Sequence, residues 1–216
     1  MDIRVGTTDA CESRLTSIVT KCPKCGNGGT FYPLQSHDLY IYVEGMGSPY
    51  TVGHRVCPND GCKAYLFFCK HPAISLITFP SLRIDFKTEN IPDRIRLSLE
   101  EAITCHAEGC YIASAIMVRR TLEELCDDKG IKGDNLKKRI EGLKSVVVLP
   151  QGLLEALDEL RLLGNDAAHI ESKEYDEIGE EEVSTAIEIT KEILKGVYQM
   201  DTLVKKLKKL KKSKQT

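Results

Sequence analysis

The sequence predicts an α+β chain: a small antiparallel β domain over residues 1–90, a helical bundle over 91–204 and a lysine-rich tail over 205–216. Three observations lead there. Up to Phe79 the apolar residues fall in short runs rich in β-branched and aromatic side chains, broken by turn residues. From Pro92 onward they recur at three- and four-residue spacing, the period of an amphipathic helix. Two cysteine pairs, each opening Cys-Pro and carrying a glycine, lie in the first region.

The expected strands are 30–34, 38–43, 51–56, 64–68 and 74–79, punctuated by Gly26–Gly29, Gly45–Pro49 and Pro58–Gly61. Most of the tyrosines and phenylalanines lie among them. Asn90-Ile91-Pro92 marks the change of period, because a proline disfavours continuing the element before it. Five helices follow. The first spans 93–108, with apolar residues at 95, 99, 102 and 103, and the second, 111–126, carries a broad apolar stripe. A shorter helix at 135–143 precedes the segment 146–149 and Pro150; the fourth helix covers 153–170. The fifth runs from Glu180 to about Lys212, with Glu180–Glu182 at its start and lysines at its end, matching the helix dipole at both termini.

Hydrophobic residues make up 42% and charged residues 29% of the 216, enough for a core and a wetted surface. The longest apolar stretch, 73–79, is far below the roughly 20 residues of a membrane span, and collagen-like or wholly disordered chains are excluded as well. The net charge of −2 points to no polyanion partner for the chain as a whole. No basic segment followed by an apolar one opens the sequence, so a secretory signal is not expected. Nine cysteines then imply a reducing, cytoplasmic setting in which clustered thiols bind metal rather than pair as disulfides.

Cys22-Pro-Lys-Cys25-Gly26 and Cys57-Pro-Asn-Asp-Gly-Cys62 each set two thiolates at the ends of a tight turn, with 31 residues between the pairs. That is the ligand set of a tetrahedral zinc ion in a zinc ribbon. Gly26 and Gly61 are expected to take positive φ beneath the metal. A closed site of Cys22, Cys25, Cys57 and Cys62 leaves no coordination position for substrate, so Zn2+ here is structural. Should Cys62 not be a ligand, His37, His54, His71 or Cys69 are the available substitutes.

The stretch from Gly109 to Leu125, with Arg119-Arg120 in it, and Leu160-Arg-Leu-Leu-Gly-Asn-Asp-Ala-Ala-His169 together resemble a domain-of-unknown-function family that is fused to type I restriction subunits and also stands alone in prokaryotes. That family is grouped with the HEPN superfamily. The resemblance covers about 92–204. It implies a helical bundle, homodimerisation through it, and association with defence or RNA-processing systems. Active members of the superfamily are metal-independent endoribonucleases with an arginine followed four to six residues later by a histidine. The matching residues here would be Arg161 and His169, with Asn165 between them. Such a histidine moves protons at the 2′-hydroxyl or the leaving oxygen, and the arginine forks onto the phosphate. In this chain the spacing is longer. Eight positions turn about 80° and climb about 12 Å along a helix, so Arg161, Asn165 and His169 form a slanting strip rather than a compact pair. The strip equally suits bundle architecture, with Arg161 paired to Glu123 or Glu124 and Gly164 permitting close helix packing.

The last feature is the basic end. Lys205, Lys206, Lys208 and Lys209 alternate with leucines at 203, 207 and 210, an amphipathic pattern suited to phosphates or to an anionic surface. With Arg119 and Arg120 these lysines are the candidate contacts to RNA or another nucleic acid. Cys105, His106 and Cys110 cluster at a helix junction and are expected to be buried thiols without a metal. No Gly-rich phosphate loop or nucleophile elbow is present. The functional expectation is a binding and assembly module of a prokaryotic nucleic-acid-related or defence pathway, with an Arg161/His169 endoribonuclease and a purely structural interaction domain as its competitors.

Overall fold

The computed structural model describes residues 5–10, 17–33, 38–43, 47–169 and 178–212. The chain divides into two compact units, 1–83 and 84–216. The architecture is α+β, as the two sequence periods predict.

Among the described residues the first unit holds seven strands: β1 (Val5–Ala10), β2 (Ile18–Lys21), β3 (Gly28–Pro33), β4 (Leu39–Val43), β5 (Tyr50–Val56), β6 (Tyr65–His71) and β7 (Ile74–Phe79). All the pairings are antiparallel, and β5 is the hub. One of its edges pairs with β6 from Thr51 to Val56. The other is shared, with β4 on Tyr50–Val52 and β3 on Arg55 and Val56. β1 extends β4, β2 extends β3, and β7 extends β6. Five strands are expected from the sequence. The two additional ones, β1 (Val-Gly-Thr-Thr-Asp-Ala) and the four-residue β2, precede Cys22 and lack the aromatic content that marks the others.

Alternation places Ile18, Phe31, Leu66 and Phe68 on the inner face, where they pack with Cys22 and Cys57. The same face buries an ion pair that composition does not suggest. Arg55 donates from Nη2 to Asp38 Oδ2 at 2.6 Å and from Nη1 to Asp38 Oδ1 at 2.8 Å, and Nη1 also donates to the His54 carbonyl at 2.8 Å. The guanidinium lies 4.4 Å from the Phe68 ring centroid. Gly53 makes room for this arrangement, since a Cβ there would stand 2.1 Å from Asp38 Oδ1 and 2.9 Å from the Phe68 ring.

The second unit contains α1 (Asp93–Ala107), α2 (Tyr111–Asp128), α3 (Leu136–Val146), α4 (Gln151–Ala168), α5 (Glu180–Leu194), a π-helical turn (Lys195–Gln199) and α6 (Met200–Lys212). Gly109, at φ 73°, turns the chain between α1 and α2. Asn135 caps α3 by accepting from the Lys138 amide at 3.0 Å, and Glu182 reaches back to the Gly179 amide at 3.0 Å to start α5. Ile95, Leu99, Val118, Leu122, Leu125, Ile140, Leu157, Leu160, Val183 and Ile187 build one core, against which Ile84, Phe86 and Leu149 also pack. No helix among the described residues is long and apolar enough to cross a membrane.

The fifth expected helix is therefore two, separated by the π turn. Leu149 presses on this turn at Gly196, where a Cβ would lie 2.4 Å from Leu149 Cδ2. Tyr198 donates to Asp128 at 2.6 Å, and Gln199 to the Lys87 and Glu89 carbonyls at 2.9 and 3.2 Å. These contacts hold a widened turn that helical periodicity alone does not reveal.

Removing one member of the Asp38–Arg55 pair leaves a buried charge uncompensated. Asp38→Ala is expected to destabilise the β unit by roughly 3–5 kcal/mol. The double replacement Asp38→Leu/Arg55→Met recovers most of that loss, as measured by hydrogen exchange of β5 and β6 amides. An Asp38→Ala loss below about 1 kcal/mol, the range of an exposed pair, would contradict this.

Candidate metal centre

The two cysteine pairs are the turns of two hairpins. Residues 22–27 link β2 to β3 and residues 57–64 link β5 to β6. The pairing of Tyr32 with Val56 and Pro33 with Arg55 makes β3 and β5 antiparallel neighbours, which puts the start of β3 and the end of β5 at one end of the sheet. The turns thus face each other although 31 residues separate them in sequence.

Their backbones are tied down locally. In the first turn the Cys22 amide donates to the Asn27 carbonyl at 3.0 Å and the Gly26 amide to the Cys22 carbonyl at 2.9 Å. In the second, Asn59 organises the four-residue gap. Its side-chain oxygen accepts from the Gly61 amide at 3.1 Å, and its carbonyl accepts from Cys62 and Lys63 at 2.9 and 3.0 Å. Gly26 has φ 72°, as expected, but Gly61 is not in the left-handed region; Lys63 is, at φ 46°. The requirement belongs to the residue after the second cysteine of each pair, and the longer gap of the second turn places Gly61 ahead of that position.

The four sulfurs lie within 4.8 Å of one another, with Cys22 Sγ to Cys62 Sγ and Cys25 Sγ to Cys57 Sγ each 3.8 Å. A disulfide would need about 2.05 Å. A tetrahedron with metal–sulfur bonds of about 2.3 Å has an edge of about 3.8 Å, the length of those two separations, so the four thiols could hold a metal ion. Cys22 and Cys57 are buried, while Cys25 and Cys62 are half-buried. Burial pushes the Cys57 thiol up to about 12. The backbone at Asn27 brings Cys25 down to about 7. At Cys62 the Ala64 amide pulls down, but burial and the neighbouring sulfurs leave the thiol raised. Further N–H groups face the cluster, the Lys24 amide 3.4 Å from Cys22 Sγ and Asn59 Nδ2 3.8 Å from Cys25 Sγ. Such donors stabilise thiolates once a metal has displaced the protons. The role of Asn59 is visible in sequence only as an Asn two positions beyond Cys57.

The substitute ligands stand elsewhere. His71 accepts from the Ala73 amide at 3.1 Å through Nδ1 and reaches the Ser48 carbonyl at 3.2 Å through Nε2. His54 lies 6.3 Å from Phe67, ring centroid to centroid, and Cys69 is half-buried in β6 with its thiol pushed up by burial. His37 and Cys11 fall outside the described residues.

In the helical unit the structure separates residues that the sequence groups together. α4 ends at Ala168, and His169 is its extended C-cap, amide bonded to the Asn165 carbonyl at 2.9 Å and side chain exposed. The slanting helical strip stops before the histidine. Arg161 lies with Nε 3.6 Å from Asp158 Oδ1 on its own helix. Glu123 pairs with Arg119 at 3.1 Å, while Glu124 accepts from Arg120 at 3.2 Å and from Ser98 at 3.0 Å. Asn165 Oδ1 accepts from Arg119 Nη1 of α2. Gly164 makes this possible, because a Cβ there would meet Arg119 Cβ at 2.5 Å. Close packing at Gly164 is as expected, but the arginine that reaches Asn165 is Arg119. Arg120 points to solvent apart from Glu124, and Lys205, Lys206, Lys208 and Lys209 are exposed on α6. Cys110, expected to be buried, is exposed at the start of α2; Cys126 is the buried thiol, pushed up to about 11 by burial.

A family model described as a domain of unknown function, DUF4145, matches residues 100–212. The chain belongs to the DUF4145 family. No curated protein and no solved structure matches it. The DUF4145 region begins within α1 and runs to the end of α6, so the four-cysteine cluster lies outside it.

Protons compete with metal for the sulfurs, so acidification is expected to release the ion, followed with a chromophoric chelator. Asn59→Ala removes a donor that faces the Cys25 sulfur and is expected to shift release toward higher pH. Retention that is flat with pH, or unmoved by Asn59→Ala, would contradict this electrostatic picture.

Proposed function

We propose that this DUF4145 protein is a zinc-binding, nucleic-acid-associated assembly module of a prokaryotic defence or RNA-related pathway, acting in the cytoplasm and binding without cleaving. In this reading the ion is structural Zn2+, held by Cys22, Cys25, Cys57 and Cys62, which suits borderline-soft zinc and its indifference to redox state. The helical unit is HEPN-like.

The observation that carries the reading is the outer face of the β sheet. Tyr32, Tyr65, Phe67 and Phe79 are 62, 59, 56 and 68% exposed. They stand in two neighbouring register rows, Tyr32–Val56–Tyr65 and His54–Phe67–Phe79. Directly paired residues share a face, so these rings form a platform opposite the cysteine cluster. Aromatic rings displayed on a sheet stack unpaired bases, and such stacking is tolerant of sequence.

Binding without turnover is supported by the α2–α4 contact. Asn165 is engaged by Arg119, Arg161 faces Asp158, and His169 has left the helix. Arg119 and Arg120 are both paired with carboxylates, which favours a structural role for them over phosphate contact. For assembly, Ile112 and Ile116 are exposed one turn apart on α2, a self-complementary apolar contact for a homodimer.

Two outcomes are expected. Single-stranded RNA is shifted in native gels and remains intact in EDTA, and Phe67→Leu, which keeps the apolar surface but removes the ring, weakens binding roughly tenfold. Cleavage that disappears in His169→Ala would establish the endoribonuclease instead, and binding indifferent to Phe67→Leu would remove the stacking face. By light scattering, Ile112→Lys/Ile116→Lys is expected to convert a dimer to a monomer; a wild-type monomer would contradict the assembly role.

A further inference from the structure

α6 carries an apolar stripe that the reading above does not use. Met200, Leu203, Val204 and Leu207 are 49, 55, 47 and 69% exposed, and Leu210 extends the row at 58%. At about 100° per residue these five positions span an arc of roughly 120°. Lys205, Lys206, Lys208 and Lys209 occupy the rest of the surface and are exposed, and no acidic residue occurs from 202 to 212. Among the described residues of its unit, α6 packs against no other α-helix and continues only from the π turn. α6 continues α5 through the π turn and contributes nothing to the bundle core, so its apolar side stands exposed.

Charge selects among the covers. A second copy of α6 would use the seam in which 200 and 207 are the a positions and 203 and 210 the d positions. The seam is flanked by Lys206 at g and Val204 at e, and with Lys205, Lys208 and Lys209 beside it and no acidic residue from 202 to 212, self-pairing gathers like charges with no counter-charge. A nucleic acid satisfies the lysines but leaves the leucines in water. A bilayer surface rich in anionic headgroups accommodates both: the leucines enter the headgroup–acyl boundary, and the lysines lie within a Debye length of the lipid phosphates. We infer that α6 is a peripheral docking helix for anionic membrane surfaces, lying in the interface without spanning it.

The test uses the full-length protein with phosphatidylcholine vesicles, with and without phosphatidylglycerol. The expected result is co-sedimentation with the anionic vesicles only, weakening as salt rises. Leu203→Ser/Leu207→Ser is expected to weaken partitioning about a hundredfold, at roughly tenfold per buried leucine, with all lysines retained. Each Lys→Gln change at 205, 206, 208 or 209 is expected to cost about fivefold. The chain has no tryptophan, so Leu207→Trp gives a single emission that shifts to the blue on anionic vesicles. An unshifted emission would overturn the inference. So would vesicle binding that survives the double leucine change, or an RNA affinity that falls with the lysine changes but not with the leucine changes while vesicles are ignored. Circular dichroism of the leucine variant should match wild type, since α6 supports no part of the bundle core. The RNA experiments with Phe67→Leu stand apart, because they read the β unit.

Discussion

The four cysteine sulfurs of the β unit meet at one point. Among the described residues its inner face buries Ile18, Phe31, Leu66 and Phe68 as large apolar side chains, packed with Cys22 and Cys57 of the two turns. The strands that must bring the two turns together, β3 and β5, share just the two pairings Tyr32–Val56 and Pro33–Arg55. Sulfurs 3.8 Å apart across the turns could hold a metal ion, and a structural metal contributes its binding free energy directly to folding.

That constraint shapes the rest of the unit. One face of the sheet is committed to the cysteines and to the buried Arg55–Asp38 pair, which leaves the other face to display its aromatic rings. The helical unit has a continuous apolar core, and the crossing of α2 and α4 is set by sterics at Gly164, where the stem of Arg119 occupies the space a side chain would take. The chain thus pairs a small unit whose four cysteines could hold a metal ion with a larger one held by packing.

Much of this was legible in the sequence because it rests on local rules. Cys22-Pro-Lys-Cys25 and Cys57 to Cys62 identify the cluster through spacing alone, and the periodicity after Pro92 locates the helices. What escaped depends on neighbours distant in sequence. β1 and β2 carry β-branched residues but no aromatic ones and are short, and it is the edges presented by β4 and β3 that complete them as strands. The burial of Arg55 is decided by Asp38 across the sheet, and the π turn by Leu149 pressing on Gly196. In the DUF4145 region the motif around Arg161 and His169 reads as one strip only if the helix continues. It ends one residue short, and the guanidinium that reaches Asn165 comes from α2. The left-handed position at Lys63 rather than Gly61 is the same lesson in small, since it is fixed by its place after the second cysteine and not by residue type.

X-ray absorption at the zinc edge of the purified, full-length protein tests the central claim most directly. Four sulfur neighbours at about 2.3 Å around one zinc per chain are predicted. Mixed nitrogen or oxygen coordination, or a protein that carries no metal and has its cysteines in disulfides, would contradict it.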